Sequence, residues 1–356
     1  MRHRLLITTS LIGICGFFIN LSCCDDCPTC PGDIEPPPLG NYRIYVLDGW
    51  NGFMMSIDTP ADTVVDSIRL DYNGYGIFAT PDGEKLLVTK TGESSMSIYD
   101  ASDLSYIGSS PRYGDYFFDG GDNYGICTSF PDEKTYFIDP VSLMPIDSIE
   151  QWGYYSFLDT VINVFFIAGE SAFYRIDCVN HELIDSIRIP ERSTSEIAYN
   201  RCTNDLYFFE SDLYWSYFHQ YSIDAGAIVQ TTYITKGGGG IAISPDCSLL
   251  YITESGNGML AYVPSGNIMV FNTKSHLMKL TIPNFNFTTQ VWVAPFMGEI
   301  ILTPDDRRAY IGAGVSSGGG VPLEIVDLQE NEIIKTIDPY LGFDATSIVL
   351  APVPNM

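Results

Sequence analysis

The side chains able to carry chemistry are few and widely spaced. The four histidines stand at positions 3, 181, 219 and 276. No two lie at metal-ligand spacing, so local sequence builds no zinc or haem site from them, and surface positions are expected for them. A G-x-S-x-G elbow, a zinc motif and a dinucleotide fingerprint are all missing. Three carboxylates, Asp115, Glu196 and Asp344, each start or precede a β-type run. Brought together, they would offer oxygen ligands for Ca²⁺. The run from Asp119 through Gly120 and Gly121 to Asp122 and Asn123 is a second, weaker oxygen-rich loop. Cys24, Cys27 and Cys30 follow C-x-x-C-x-x-C spacing, but no histidine lies near enough to complete a metal site. A Cys27–Cys30 disulfide or free thiols is therefore the preferred reading. The catalytic set is thin, and no catalytic residue is assigned.

Aromatic residues are the more promising feature. An aromatic–Gly–aromatic theme recurs at Tyr72 to Tyr75, Tyr113 to Tyr116, Trp152 to Tyr155 and Tyr340 to Phe343. Such rings either form platforms for sugars and peptides or wedge between packed elements. Four long, irregular segments follow: 210–217, 254–267, 284–297 and 314–321. Their Tyr214, Trp215, Tyr262, Trp292 and Phe296, together with Tyr75, Tyr116 and Tyr155, are the candidate ligand-binding residues.

Composition narrows the partners. Of 356 residues, 46% are hydrophobic and 17% charged, and 44 acidic against 18 basic residues give a net charge of −26. Globular chains carry roughly 25% charged residues, so this one is charge-poor and acidic together. So few cations cannot neutralise a phosphate backbone, which argues against nucleic acid. No polybasic patch is present to hold an anionic membrane surface.

The N-terminus gives an address. Arg2 and Arg4 precede a mostly apolar stretch from Leu5 to Ile19, of signal-peptide length and short of the roughly 20 residues of a membrane span. Leu21-Ser22-Cys23-Cys24 then resembles a bacterial lipobox, with Cys24 the expected lipidated residue and Cys23 the other possible register. An exported protein, in the periplasm or on the outer surface and touching the membrane only through this anchor, is implied. Residues 1–23 are read as signal and 24–41 as a Cys- and Pro-rich tether, extended because proline disfavours helix and sheet. Residues 42–356 are read as one folded domain.

That domain is repetitive. An apolar residue followed by Asp or Asn ends a β-type run at Asp58, Asp100, Asp139, Asp177, Asp224, Asn272 and Asp327, at intervals of 38 to 55 residues. The carboxylate or amide would accept backbone N–H groups two residues on and fix a hairpin turn. A second marker, Thr80-Pro-Asp-Gly83, returns at 244–247 and 303–306, where Cys247 and Asp306 replace the glycine that suits positive φ. A period of 40–50 residues with four strands is the mark of a β-propeller blade. The segments GIFATPDGEKLLVT and GIAISPDCSLLYIT, and more loosely EIILTPDDRRAYIG, resemble the YVTN-type propeller repeat of exported prokaryotic proteins.

The fold expected is all-β: a seven-bladed propeller of four-stranded antiparallel blades with almost no helix. Its first unit lacks the innermost strand, which the run near 346–353 would supply, closing the ring and hiding two strand edges. With strands lettered a to d from the axis outward, the a–b and c–d turns share one face. The b–c and d–a connections, which hold the aromatic motifs, share the other. Gly237–Gly240 and Gly318–Gly320 are read as close-approach or flexible backbone on that second face. Cys178 and Cys202 fall in same-face turns of neighbouring blades, where a disulfide is conceivable and unpaired thiols are preferred. Two functions are consistent with this. One is a monomeric, non-catalytic binding or scaffold module for a protein, peptide or glycan, with no cofactor. The alternative is an exported propeller enzyme, such as a lactonase-like hydrolase with Ca²⁺ at the channel mouth; a quinone-dependent dehydrogenase is a weaker third.

Overall fold

A computed structural model describes residues 42–90, 95–111, 115–118, 124–129, 132–153, 155–159, 162–169, 172–189, 194–211, 216–234, 237–255, 267–275, 278–283, 297–313, 322–338 and 345–353. Among these residues lie 28 strands and no helix. Blade 1 contains β1 (Tyr42–Asp48), β2 (Phe53–Asp58) and β3 (Thr63–Arg69). Blade 2 is β4 (Gly74–Ala79), β5 (Lys85–Lys90), β6 (Ser95–Asp100) and β7 (Tyr106–Pro111). Blade 3 is β8 (Asp115–Phe118), β9 (Gly125–Ser129), β10 (Lys134–Ile138) and β11 (Pro145–Ile149). Blade 4 is β12 (Tyr155–Asp159), β13 (Val164–Ala168), β14 (Ala172–Asp177) and β15 (Glu182–Arg188). Blade 5 is β16 (Thr194–Asn200), β17 (Asp205–Ser211), β18 (Ser216–Ser222) and β19 (Ala227–Ile234). Blade 6 is β20 (Gly237–Ile243), β21 (Leu249–Ser255), β22 (Asn267–Asn272) and β23 (Met278–Pro283). Blade 7 is β24 (Met297–Leu302), β25 (Arg308–Ala313), β26 (Leu323–Asp327) and β27 (Glu332–Ile337). The last strand, β28 (Ala345–Pro352), pairs antiparallel with β1 from Tyr42↔Pro352 to Asp48↔Ala345, completing blade 1. The expected inventory of seven four-stranded sheets and the closing strand are both present.

The seven sheets bury their faces against one another. On β1, Ile44 and Val46 pack with Tyr310, Leu323 and Ile325 of blade 7, while Tyr45 and Leu47 pack with Ile77, Leu86 and Val88 of blade 2. Alternate side chains point to opposite faces, so a middle strand buried on both sides is mostly apolar, and its few buried polar groups need partners. This is why a chain with so few charges folds as one ring. Tyrosines on the second strands lock neighbouring blades: Tyr45 Oη donates to Ala101 O at 2.9 Å, and Tyr310 Oη to Asp62 Oδ1 at 2.6 Å across the closing seam.

The recurrent markers do their expected turn work. Asp100, Asp139, Asp177, Asn272 and Asp327 each accept the backbone N–H two residues on, at 2.8–3.1 Å. Blades 1 and 5 depart from the pattern: Asp58 accepts from Ala61 N three residues on, since Pro60 has no N–H, and in blade 5 Ser222 ends the strand and accepts from Ala225 N, while Asp224 accepts from Asn204 Nδ2. In the three Pro-Asp turns, Gly83, Cys247 and Asp306 all have positive φ, at 69°, 63° and 56°. The repeat segments also acquire a meaning not visible in their letters. The first Gly and last Thr of GIFATPDGEKLLVT meet, with Gly76 N donating to Thr89 Oγ1 at 2.9 Å; Gly240 N and Thr253 Oγ1 repeat this at 2.6 Å. EIILTPDDRRAYIG has Glu299 and Gly312 at those positions and so cannot form the same pair.

The disulfide joins Cys202 and Cys247, whose turns between the first two strands of blades 5 and 6 are neighbours. This corrects both the Cys178–Cys202 pairing and the preference for unpaired thiols at Cys202. Cys178 stays a buried thiol because it packs among Tyr124, Phe137 and Ile176 in the layer between blades 3 and 4.

Candidate functional site

At the face carrying the b–c and d–a connections, five of the seven innermost strands are bulged. Register shifts leave Thr346 unmatched in β28, Tyr75 in β4 and Glu196 in β16. In β20 the pair Gly239 and Gly240 faces the single Thr253, and in β24 Gly298 and Glu299 face the single Gly312, one extra residue in each. An extra residue bends a strand and re-aims the local backbone. The backbone amide that falls out of register needs another acceptor, which Thr89 and Thr253 provide. Two candidate residues, Tyr75 and Glu196, therefore occupy equivalent bulge positions.

These placements amend the sequence reading. Tyr75, Tyr116 and Tyr155 stand within β4, β8 and β12 rather than before them, because the innermost strands begin earlier than the motif suggests. Gly237–Gly240 is likewise strand, not loop: the glycines open β20 and form its bulge. Asp115 begins β8 and Glu196 is the bulge residue near the start of β16, so both belong to the same rim but to blades 3 and 5. Asp344, Tyr214, Trp215, Tyr262, Trp292, Phe296, His276, Cys23 and Cys24 lie outside the described residues. So do Gly318–Gly320 and the Asp119–Asn123 loop.

One aromatic motif can be followed in side-chain detail. Between blades 1 and 2 run two adjoining grooves, of about 530 and 590 Å³, that share Arg69, Leu70, Asp71 and Tyr72. The turn above them is built by Asp48, which is fully buried. Its Oδ1 accepts from Trp50 N at 3.1 Å and Asn51 N at 2.9 Å, and its Oδ2 from Asn51 Nδ2 at 2.9 Å. That arrangement holds Trp50 outward, 50% exposed. Leu70 N donates to Gly52 O at 2.6 Å, tying the d–a connection to the turn. Gly52 has φ +65°, and a Cβ there would lie 2.7 Å from Tyr72 O, so the close approach needs glycine.

Tyr72 does two things at once. Its ring packs into the layer between blades 1 and 2, and it lines both grooves. Its Oη is 2.9 Å from Tyr99 Oη, and burial raises both phenols above the usual tyrosine range, so they stay neutral hydrogen-bonding groups. Lys90 Nζ sits 4.5 Å above the Tyr72 ring and Arg69 Cζ 5.7 Å above the Phe53 ring. Both contacts have cation–π geometry. Tyr106, 61% exposed, meets Tyr99 edge to face at 5.7 Å and closes the far side. The result is a track of alternating rings and cations with one exposed carboxylate, Asp71. It can stack on flat or ring-shaped ligands and pair with anions.

A polar cluster missed by the sequence reading lies on blade 5. His219 is buried, 6% exposed, and not at the surface as expected. Its Nδ1 is 2.9 Å from Thr231 Oγ1 and its Nε2 3.1 Å from Glu210 Oε2. The three residues come from adjacent strands, and His219 stands directly opposite Thr231 in the β18–β19 ladder. Burial is acceptable because both ring nitrogens are paired. The only sequence cue was alternation along β18, which places His219 and Tyr217 on one face of the blade.

The chain is thus a seven-bladed β-propeller. No family model matches it, and no curated protein sequence does. Among solved structures it resembles a functionally unknown protein from Desulfotomaculum acetoxidans DSM 771, at 12% identity and TM-score 0.63, covering 88% of this chain and 99% of that one. It resembles a dihydro-heme d1 dehydrogenase, NirN, in complex with DHE, at 10% identity and TM-score 0.60, over 88% of this chain and 76% of that one. Kuenenia stuttgartiensis hydrazine synthase matches at 14% identity and TM-score 0.59, over 74% and 79% of the two chains. At such identities the likeness is one of fold, and function must be argued from the site.

Proposed function

We propose that this propeller is a non-catalytic binding module that uses the face bearing the b–c and d–a connections. Its ligand is a protein, peptide or glycan. The observation that carries the reading is the groove between blades 1 and 2, which opens on that face at Trp50 and Tyr72 with Arg69 and Lys90 and runs down the flank to Tyr106 beside the c–d turn of blade 2. Rings held by packing and buried hydrogen bonds lose little freedom on binding, so such a surface suits recognition. In keeping with the N-terminal sequence, the module is an exported YVTN-type repeat protein, lipid-anchored at Cys24 or Cys23 and monomeric. Trp50→Ala tests the siting: it should abolish or weaken at least tenfold the capture of envelope proteins and glycans by the immobilised protein. Unchanged capture of every partner by this variant would place binding elsewhere.

The enzyme reading retains one supporting observation. Asp115 and Glu196 both belong to the channel-mouth ends of innermost strands, and Glu196 stands at a bulge. It requires Asp115, Glu196 and Asp344 to hold Ca²⁺. Calorimetry with and without EDTA tests it, and an unshifted melting temperature removes the Ca²⁺ version.

A further inference from the structure

We infer that the groove between blades 1 and 2 selects an acidic oligosaccharide, a chain of pyranose rings bearing carboxylates. The inference rests on the binding-module reading and names its ligand. Three observations carry it. First, three main-chain donors at the groove are already used. Trp50 N and Asn51 N donate to Asp48, and Leu70 N donates to Gly52 O. An extended peptide draws much of its affinity from main-chain pairing, so this wall offers it little. Sugar rings need none of these amides, since they stack on aromatic faces through their C–H bonds.

Second, the rings are spread along a track rather than gathered in one hole. Trp50 stands at one end, Tyr72 in the middle and Tyr106 at the other, over two adjoining grooves of about 530 and 590 Å³. That is the form of a site for consecutive ring units. The Tyr72 and Tyr99 hydroxyls, paired at 2.9 Å, and the Asp71 carboxylate supply acceptors and donors for sugar hydroxyls.

Third, two of only 18 basic residues in a chain of net charge −26 line this one track. Arg69 and Lys90 lie over the faces of Phe53 and Tyr72, so each positive charge is presented beside a stacking ring. Remote acidic residues do not cancel them, because the Debye length is about 8 Å at physiological ionic strength, and the one carboxylate in the track, Asp71, still leaves the two cations in excess there. A carboxylate on a stacked ring would meet these cations through charge-assisted hydrogen bonds, roughly twice as strong as neutral ones.

The test is titration calorimetry of the full chain with three probes at physiological salt. These are an oligogalacturonate, the same oligosaccharide with its carboxylates reduced to alcohols, and an acidic peptide of equal charge. The oligogalacturonate should bind, and the reduced form should bind at least about tenfold more weakly, the effect of one lost charge-assisted contact. Arg69→Gln combined with Lys90→Gln should erase that difference without moving the melting temperature by more than a degree or two, because Arg69 is exposed and Lys90 only half-buried. Trp50→Ala should weaken both sugars. Equal binding of the acidic and reduced sugars overturns the charge selection while leaving the groove a glycan site. Binding of the acidic peptide alone, lost in Trp50→Ala, overturns the sugar and keeps the binding site. No Trp50-dependent binding of any probe overturns this inference, and partner capture unaffected by Trp50→Ala overturns the binding-module reading beneath it.

Discussion

Replacing Asp306 by asparagine should stabilise the protein above neutral pH and leave it unchanged in acid. Asp306 ends the Pro-Asp turn of blade 7, at the position that glycine holds in blade 2. Burial, and then repulsion from the Asp246 and Asp305 carboxylates, push its carboxyl from 3.8 up to about 7. Its Oδ1 is buried with no hydrogen-bond partner among the described residues. By contrast Asp246, though burial pushes it upward, is held below the usual value by Ser244 and by the Ser248 amide and hydroxyl. The pair meets where the turns of blades 6 and 7 adjoin, and the cost of the crowding falls on Asp306. A carboxyl whose folded pKa exceeds its unfolded value favours the fold below the unfolded value, and that contribution is lost as pH rises through the folded one. Here the window runs from about pH 4 to pH 7. A fully buried group would lose at most about 4 kcal/mol over it. Asp306 is partly exposed, so solvent screening reduces the loss to about 1–2 kcal/mol. Asparagine keeps the side-chain shape, tolerates positive φ and removes the charge. Calorimetry of wild type and Asp306→Asn should therefore show melting temperatures that coincide near pH 4 and separate by roughly 1.5–3 °C at pH 8. A difference of the same size at both pH values would refute a charge origin, and a less stable variant at pH 8 would refute the burial argument.

Three further outcomes follow from other parts of the ring. Gly83→Ala should cost about 2–4 kcal/mol, since φ is +69° and a Cβ would lie 2.0 Å from Pro352 O on the closing strand; urea unfolding measures this. Thr89→Val should cost about 1–3 kcal/mol by leaving Gly76 N–H without its 2.9 Å acceptor, and Thr89→Ser should recover most of it. Reducing Cys202–Cys247, which bridges 45 residues, should lower stability by up to about 4 kcal/mol on the chain-entropy account, read as a drop in melting temperature with a reductant.

The ring closure shows how far one-dimensional reasoning reaches. Counting strands left the first unit one short and the last one over, and β28 pairs with β1 as that count requires. The hairpin markers were legible for the same reason: an Asx turn is made by residues two or three apart, so its chemistry is local. The aromatic motifs were legible only as a set. Their letters do not reveal that Tyr72 both fills the layer between blades 1 and 2 and lines a groove, nor that Tyr75 opens a bulge. His219 was misjudged because neither its partner from β17 nor the one from β19 is adjacent in the chain.

What the amino-acid sequence determined by itself was periodic: the spacing of turns, the apolar middle strands, the number of blades and the way the ring shuts. Each depends on backbone geometry repeated within about 45 residues. What only the tertiary structure decided was lateral, namely which thiol faces Cys202 and which carboxylate crowds Asp306. It also decided which cations lie over which rings. Most of those contacts join different strands or blades, and side chains far apart in the chain meet only after the sheets have stacked round a common axis.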